Sequence, residues 1–471
     1  MKGWACARPF CCLFGGAELV HTFEALGCYI AVDVNSGAVH VLDKMMYDLL
    51  REVESCESMG AHCPQAVKDK LNQYPTEELD ECWAELLELQ EQGLLFEKDD
   101  YVDPNMAVIR NAPVKALCLN VSHDCNLRCK YCFASTGDFG LGRKTMSVET
   151  AKKAIDFVVK RSGVRHNIEV DFFGGEPLMA MDTVKETVKY ARSIEGEKGK
   201  AFRFTMTTNG VLLNQENIDY INEEMSNCVL SLDGRPEVND RHRPTVAGTG
   251  SYDVIVPKFK KLVETRGDQD YYLRGTFTRD NLDFAADVIH IASEGFESVS
   301  VEPAVGKPDD PFAVREEDLP QVKAEYDKLA RYLLDHPEVN FFHFNVDLAQ
   351  GPCVIKRMRG CGAGCEYVCI TPDGDIYPCH QFVGNEEFKL GNVYDDTFDM
   401  ELSSRFAGMN IYTRKECGNC WAKFYCSGGC SAANYNTNGD ITQPSHVGCE
   451  MERKRLECAI AIKAIRSGLA D

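Results

Sequence analysis

From Lys115 to about Leu334 short, mostly apolar runs alternate with longer stretches whose apolar residues recur every three or four positions. The runs Ala116–Val121, Ile168–Phe173, Phe202–Thr207, Cys228–Leu232, Tyr272–Thr278 and Val299–Glu302 predict strands. Stretches such as Val148–Lys160, Val184–Ser193 and Asp253–Thr265 predict amphipathic helices between them. Six βα units of this kind imply an α/β fold class with a parallel sheet and right-handed crossovers. Such a sheet binds ligands at the carboxyl ends of its strands.

The pattern differs on either side. Tyr29–Val34 alternates like a strand, Asn35-Ser36-Gly37 signals a turn, and Ala38–Leu42 answers as a second strand. Three helical patterns follow. In the clearest, Leu79, Cys82, Trp83, Leu86 and Leu87 share one face, Thr76 is the expected N-cap, and Gly93 the stop. A hairpin followed by three short helices is a winged-helix-like plan. Its excess of acids over bases argues against DNA. Pro104 and Pro113 mark a linker. From Cys353 to Cys458 periodicity gives way to dense cysteine and glycine, so metal staples are expected in place of a large core. The expected divisions are an N-terminal extension over 1–20, a small module over 21–102, a linker over 103–114, the α/β unit over 115–340 and a cysteine-rich domain over 341–471.

Composition narrows the chemistry. A formal charge of −22 in 471 residues disfavours nucleic acid as a partner. No run of 18 apolar residues suggests a membrane span, and the apolar stretch near the start is broken by Arg8 and Pro9. Twenty-three cysteines, many in C-x2-C and C-x3-C units, read as metal chemistry in a reducing cytoplasm.

Cys125, Cys129 and Cys132 follow the first strand as C-x3-C-x2-C. Three thiolates hold three irons of a [4Fe–4S] cluster and leave the fourth open, since full ligation takes four. A zinc staple would want four N or S ligands. The spacing, with Tyr131 before the last cysteine, resembles the radical S-adenosylmethionine (SAM) superfamily. That resemblance implies a partial (β/α)6 TIM-like barrel whose open iron binds SAM and cleaves it to a 5′-deoxyadenosyl radical. Gly174-Gly175-Glu176-Pro177, at the end of the second strand, resembles the motif that holds the SAM amino group. Asn209, Ser231, Asp233, Arg243 and Arg274 match pocket-lining positions. A guanidinium forks onto a carboxylate, so Arg274 is the first choice for the SAM carboxylate and Arg243 the second. His123 and His166 are expected to be satisfied structural histidines. Cys28, Cys56, Cys63, Cys82, Cys118, Cys228, Cys369 and Cys458 are expected to be small core residues.

Cys361-x12-Gly374-x4-Cys379, then Cys417-x2-Cys420-x5-Cys426-x3-Cys430, then Cys449, is similar to the seven-cysteine pattern of SPASM domains. The resemblance implies two auxiliary [4Fe–4S] clusters, making three in all. Cys417, Cys420, Cys426 and Cys449 would hold the outer one. Cys361, Cys379 and Cys430 would hold the inner one, with Cys353 or Cys365 as fourth ligand. His380 stands where sulfatase-maturing relatives carry an aspartate base, and is a candidate base or a neighbour of the inner cluster. The N-terminal module resembles the leader-recognition element of ribosomal peptide biosynthesis. Together with His21–Asp43, C-G-A-G and G-D-I-Y-P-C-H-Q-F, the whole is similar to maturases of Cys-rich SCIFF peptides. These join a cysteine sulfur to a side-chain carbon, often of threonine, as a thioether. The resemblance implies a precursor peptide with a leader as substrate and a small flavodoxin- or ferredoxin-type electron donor. Alternatives are sulfatase maturation, another radical peptide modification, or a non-enzymatic peptide-binding electron carrier.

Overall fold

The structure is a computed structural model that describes residues 19–53, 59–101, 112–348 and 358–469. Residues 1–18, Cys56, most of the expected linker and Cys353 lie outside these segments.

Val20–Ala25 (β1), Cys28–Asp33 (β2) and Val39–Leu42 (β3) form an antiparallel sheet in that order. The hairpin β2–β3 is the one the sequence predicts; β1 is an addition. Ala31 faces the module's own helices, Lys44–Val53, Gln65–Lys70 and Thr76–Glu91, while Ile30 and Val32 pack on Ile460, Ala461 and Ala464 of the last helix of the chain. Trp83 is 1% exposed at the centre of the module, its Nε1 donating to Gly60 O at 2.9 Å. Thr76 is not the N-cap. Pro75 holds that place with extended backbone, and Thr76 is the first helical residue, because the ring fixes the φ at which the helix starts. Gly93 does close the helix at φ 68°. Its N–H donates to Gln90 O at 3.0 Å and that of Leu94 to Leu89 O at 2.9 Å, the paired bonds of a left-handed glycine terminus.

Ala116–Ser122 (β4), Asn167–Gly174 (β5), Ala201–Thr208 (β6), Asn227–Ser231 (β7), Asp270–Phe277 (β8) and Ser298–Pro303 (β9) are the six parallel strands of a partial barrel. Side chains alternate across a strand. Leu117, Leu119, Val121, Val170, Phe172, Phe204 and Met206 therefore enter the main core under the helices. Cys118, Asn120, Asp171, Phe173, Thr205 and Thr207 face the opposite side, the barrel lumen.

The sheet does not stop near residue 341. Asn340–Phe341 (β10) pairs with β9, and Tyr367–Ile370 (β11) lies parallel to β4. Asp375–Tyr377 (β12), Gly391–Asn392 (β13) and Thr397–Phe398 (β14) continue it antiparallel. The cysteine-rich segment thus adds a wall to the lumen beside the first strand. It is also more regular than its sequence suggests, since His446–Arg466 is a 21-residue helix. That helix is apolar on two sides, meeting the barrel through Met451 and Ile462 and the N-terminal sheet through Ile460 and Ala464. A helix buried on two sides loses the single apolar stripe that betrays a surface helix. Among the described residues no helix is long and apolar enough to cross a membrane.

Candidate functional site

The loop after β4 is held from below by the loop after β5. Gly175 N–H donates to Ser122 O at 2.7 Å and Glu176 N–H to Asp124 O at 2.8 Å. The approach is so close that a Cβ on Gly174 would stand 2.3 Å from Ser122 O, and one on Gly175 2.2 Å from Asp124 O. Only glycine fits there. Glu176 is 1% exposed and its carboxylate accepts from Leu178 N–H (3.0 Å), Thr208 Oγ1 (2.7 Å) and Asn209 N–H (2.8 Å). Burial raises its pKa despite these donors. Glu176 thus ties three loops together, the β4 loop through its backbone N–H and the β5 and β6 loops through the carboxylate expected to greet an ammonium group, with Pro177 starting the short helical turn that follows.

Cys125, Cys129 and Cys132 interact electrostatically with one another, so their thiols share one space. Burial pushes Cys125 up to about 11 and Cys129 up to about 12, while Arg243 draws both back. Bare thiols here stay protonated, and metal binding must displace the protons. Leu127 N–H donates to Cys125 Sγ at 3.4 Å and Asn209 Nδ2 approaches it at 3.6 Å, donors that suit a thiolate. Tyr131 OH donates to Asp233, 2.9 and 2.7 Å from its two oxygens, and Arg243 Nη1 donates to Tyr131 OH at 2.8 Å. Asp233 also accepts from Thr276 N–H at 3.1 Å. Tyr131, Asp233 and Arg243 therefore form one buried network beside the cysteines.

Arg274 stands elsewhere. Its guanidinium pairs with Glu302 and reaches Ser300 Oγ at 3.3 Å, next to Ser231 in the β7–β8 register. Burial pushes Glu302 up, but Arg274, His343 and Arg455 outweigh it and hold it at about 2. The first choice for a ligand carboxylate is thus occupied by a carboxylate of the chain, a partner two positions beyond Ser300 that sequence spacing does not reveal. His123 is fully buried, and neither ring nitrogen has a partner among the described residues. It stacks against Phe139 with centroids 4.7 Å apart, so it is structural but not satisfied. His166 is satisfied, its Nδ1 lying 2.8 Å from Gly199 O.

The later cysteines sort into two groups. Cys417, Cys420, Cys426 and Cys449 interact mutually, and all four line one cavity of about 1000 Å³. Cys379, Cys361 and Cys430 form the second group, and Cys365 interacts with Cys361. These are the groupings that the SPASM resemblance implies, with Cys365 lying beside the second group. Among the described residues no three His, Cys, Asp or Glu side chains crowd close enough to hold a single metal ion. A cube instead asks for one thiolate per iron corner, spread around it. His380 follows Cys379, stacks on Phe173 with centroids 4.7 Å apart, and lies 3.4 Å through Nδ1 from Tyr367 OH. Burial lowers it to about 4. Cys118 and Cys369 are buried, but they face the lumen rather than the apolar core; Cys228 and Cys458 do join that core.

The N-terminal module meets the outer group directly. His21 stacks on Trp421 with centroids 3.9 Å apart, and Lys423 Nζ lies 2.5 Å from Asp99 Oδ2, both side chains at most 5% exposed. Trp421 and Lys423 stand between Cys420 and Cys426.

Comparison with known proteins agrees with this geometry. Residues 119–269 match the radical SAM superfamily, and residues 361–421 match the SPASM iron–sulfur cluster-binding domain. The chain is 26% identical over 329 residues to a cysteine-type anaerobic sulfatase-maturating enzyme of Clostridium novyi, covering 66% of this chain and 85% of that one. The solved structure of anSMEcpe with bound AdoMet superposes with a TM-score of 0.62 at 18% identity, covering 76% of this chain and 100% of that one. Streptococcus suis SuiB bound to its precursor peptide SuiA superposes at 0.50 with 15% identity, covering 92% of this chain and 100% of that one. Both domain types imply [4Fe–4S] clusters, and the first implies SAM. This chain carries a radical SAM domain over residues 119–269 and a SPASM domain over residues 361–421.

Proposed function

We propose that the protein is a peptide maturase that joins a cysteine sulfur to a side-chain carbon in a ribosomally made, Cys-rich precursor of the SCIFF type. The observation that carries this reading is the inner cysteine group. It adjoins the lumen through Cys379, His380 and Tyr367, so a cluster held there would lie beside the chamber where SAM would react and, with its fourth position left open by Cys353 and Cys365, would offer an iron to a substrate sulfur. When bound at Cys125, Cys129 and Cys132, the cluster and SAM supply hydrogen-atom abstraction. The chain's own residues do the rest. Gly174, Gly175 and Glu176 fix the cysteine loop, and the Tyr131–Asp233–Arg243 network walls the pocket. The curved sheet excludes water from a reactive carbon. The outer four cysteines and the inner group would bring the clusters to three.

The N-terminal module supports a peptide substrate. An extended leader would add as a strand beside the module's own sheet, and the module's seat on the outer cysteine loop would hold a bound leader at a set distance from the lumen. SuiB, which covers nearly the same length of chain, binds a precursor peptide. A small ferredoxin- or flavodoxin-type protein would supply electrons. Sulfatase maturation is the second reading, favoured by the relative from C. novyi. His380 in place of the aspartate base speaks against it.

The test is anaerobic reaction with a Cys-rich precursor followed by mass spectrometry. A loss of two hydrogens per link, with one cysteine no longer open to alkylation, is expected. Formylglycine, or an unchanged mass, would overturn the proposal.

A further inference from the structure

Asp171 lies in the lumen wall and belongs to none of the cysteine groups assigned above, although Cys118 and Tyr367 stand between it and Cys379. The register sets Thr205 of β6, Asp171 of β5, Cys118 of β4 and Cys369 of β11 side by side on one level. All four face the lumen by strand alternation. Asp171 is partly open to that space, whereas the flanking Val170 and Phe172 are buried in the core. Among the described residues its one hydrogen-bond partner is Thr207 Oγ1, at 3.5 Å. A carboxylate has about four acceptor positions, so this one has capacity to spare. The titratable groups facing it are Cys118 from β4 and Tyr367 from β11, with Cys369 of β11 beyond Cys118; Tyr367 in turn reaches His380. No arginine or lysine acts on it, and burial pushes its pKa up to about 7.

We propose that Asp171 is the proton acceptor for the sulfur of the peptide substrate. This inference rests on the thioether reading and adds to it the group that the reaction's balance requires. Forming the link breaks one C–H and one S–H bond and makes one C–S bond. The carbon loses a hydrogen atom to the chemistry that bound SAM supplies. The sulfur loses a proton, which goes to the Asp171 carboxylate. The remaining electron passes to an iron–sulfur cluster. His380 is engaged differently: its ring is stacked on Phe173 and its Nδ1 lies 3.4 Å from Tyr367 OH. Asp171 stands on a rigid strand with a free acceptor edge, and a base near the working pH transfers protons best.

The test compares Asp171→Asn and Asp171→Glu with the wild type as reconstituted holoenzymes. In Asp171→Asn, cross-linking should slow about 100-fold, the size typical of a lost general base. Formation of 5′-deoxyadenosine and iron content should stay near wild type, and Asp171→Glu should recover part of the loss. The wild-type cross-linking rate should rise with pH through about 7, and that inflection should vanish in Asp171→Asn. Infrared difference spectra offer a readout independent of turnover: a protonated-carboxyl band that titrates near pH 7 in the wild type and is missing from Asp171→Asn. Wild-type rate with an unchanged pH profile in Asp171→Asn would overturn the inference. So would the absence of the band, or a parallel loss of iron and deoxyadenosine. A wild-type enzyme that makes no thioether defeats the underlying reading instead, and that result needs no variant.

Discussion

The cysteine loop after β4 and the cysteine array beyond residue 358 both gather thiols, yet different forces position them. The first loop hangs from the ends of β4 and β5, whose opposite faces enter one continuous core running from Val114 to Ile462. Backbone hydrogen bonds to Gly175 and Glu176 fix it before any metal arrives. The array shares that core through Val368, Ile370 and the helix at 446–466, but around most of its cysteines it has only two-residue strands, a four-residue helix at Lys423–Cys426 and small separate apolar clusters around Phe424 and Phe388. Cys417 belongs to one of those clusters itself. The barrel fixes its cysteine loop through backbone bonds, whereas the region around the array's cysteines, with little core of its own, would depend on the metal that its thiols would hold. Catalysis that needs a fixed open iron belongs on the first kind of support. Electron transfer, and the docking of a peptide module, can be built on the second.

Iron removal should expose this difference most strongly. In small metal-stapled units the binding free energy is folding free energy. After chelation, amides over 417–449 should lose hydrogen-exchange protection on the order of 10³-fold, while those of β4 to β6 keep theirs. Equal loss in both regions would erase the contrast. The N-terminal module should loosen with the array, because Trp421 and Lys423 carry its seat. Lys423→Ala leaves Asp99 buried without its cation and should cost about 3–5 kcal/mol. Its signature is thermal unfolding of the module with the Cys125 loop unaffected.

Glu176→Gln probes the other support. It weakens a buried carboxylate that accepts three hydrogen bonds, so a loss of about 2 kcal/mol in melting is expected. Iron should fall selectively at the Cys125 site, read by site-resolved Mössbauer or EPR signals. Asp171→Asn has a smaller effect on stability, with a definite sign. The folded pKa of Asp171 is raised to about 7 from an ordinary value of 3.8. Its stabilising contribution is therefore complete below about 4 and lost as pH rises through about 7. Between pH 6 and 8 the wild type should lose stability to denaturant that Asp171→Asn keeps.

Much of the barrel was open to reading because each strand buries one face under helices, which prints alternation into the sequence. The sorting of the later cysteines was legible too, since metal ligands cluster by spacing. Other features depend on partners far along the chain. Strand β1 shows an apolar side only if His21 counts among the packing residues, and its ring packs because Trp421 lies over it. The helix at 446–466 is apolar on two sides because it lies between two bodies. Arg274 looked free until Glu302 came beside it. The lumen row at Asp171 exists because β11, some 250 positions after β4, closes against that strand. Spacing within a motif cannot encode such closures.

The smallest effect separates the two regions by charge. Arg414 is buried among the array thiols, acting on Cys417, Cys430, Cys361 and Cys426, and so bridges the two groups. Its Nη1 donates to Ile441 O at 3.2 Å and Nη2 to Ser431 Oγ at 3.0 Å, and Nε has no partner among the described residues. Reduction adds an electron to a cluster, and a buried cation nearby favours the added charge; cluster potentials follow local charge in this way. Arg414→Met should therefore lower the array potentials by about 60 mV, tenfold in the equilibrium constant of a one-electron couple. The Cys125 site has Arg243 as its own nearby cation and should not move. Redox titration followed by EPR measures both in one sample. A shift confined to the array fits two electrically separate regions, whereas a common shift would show that the lumen between them does not insulate one from the other.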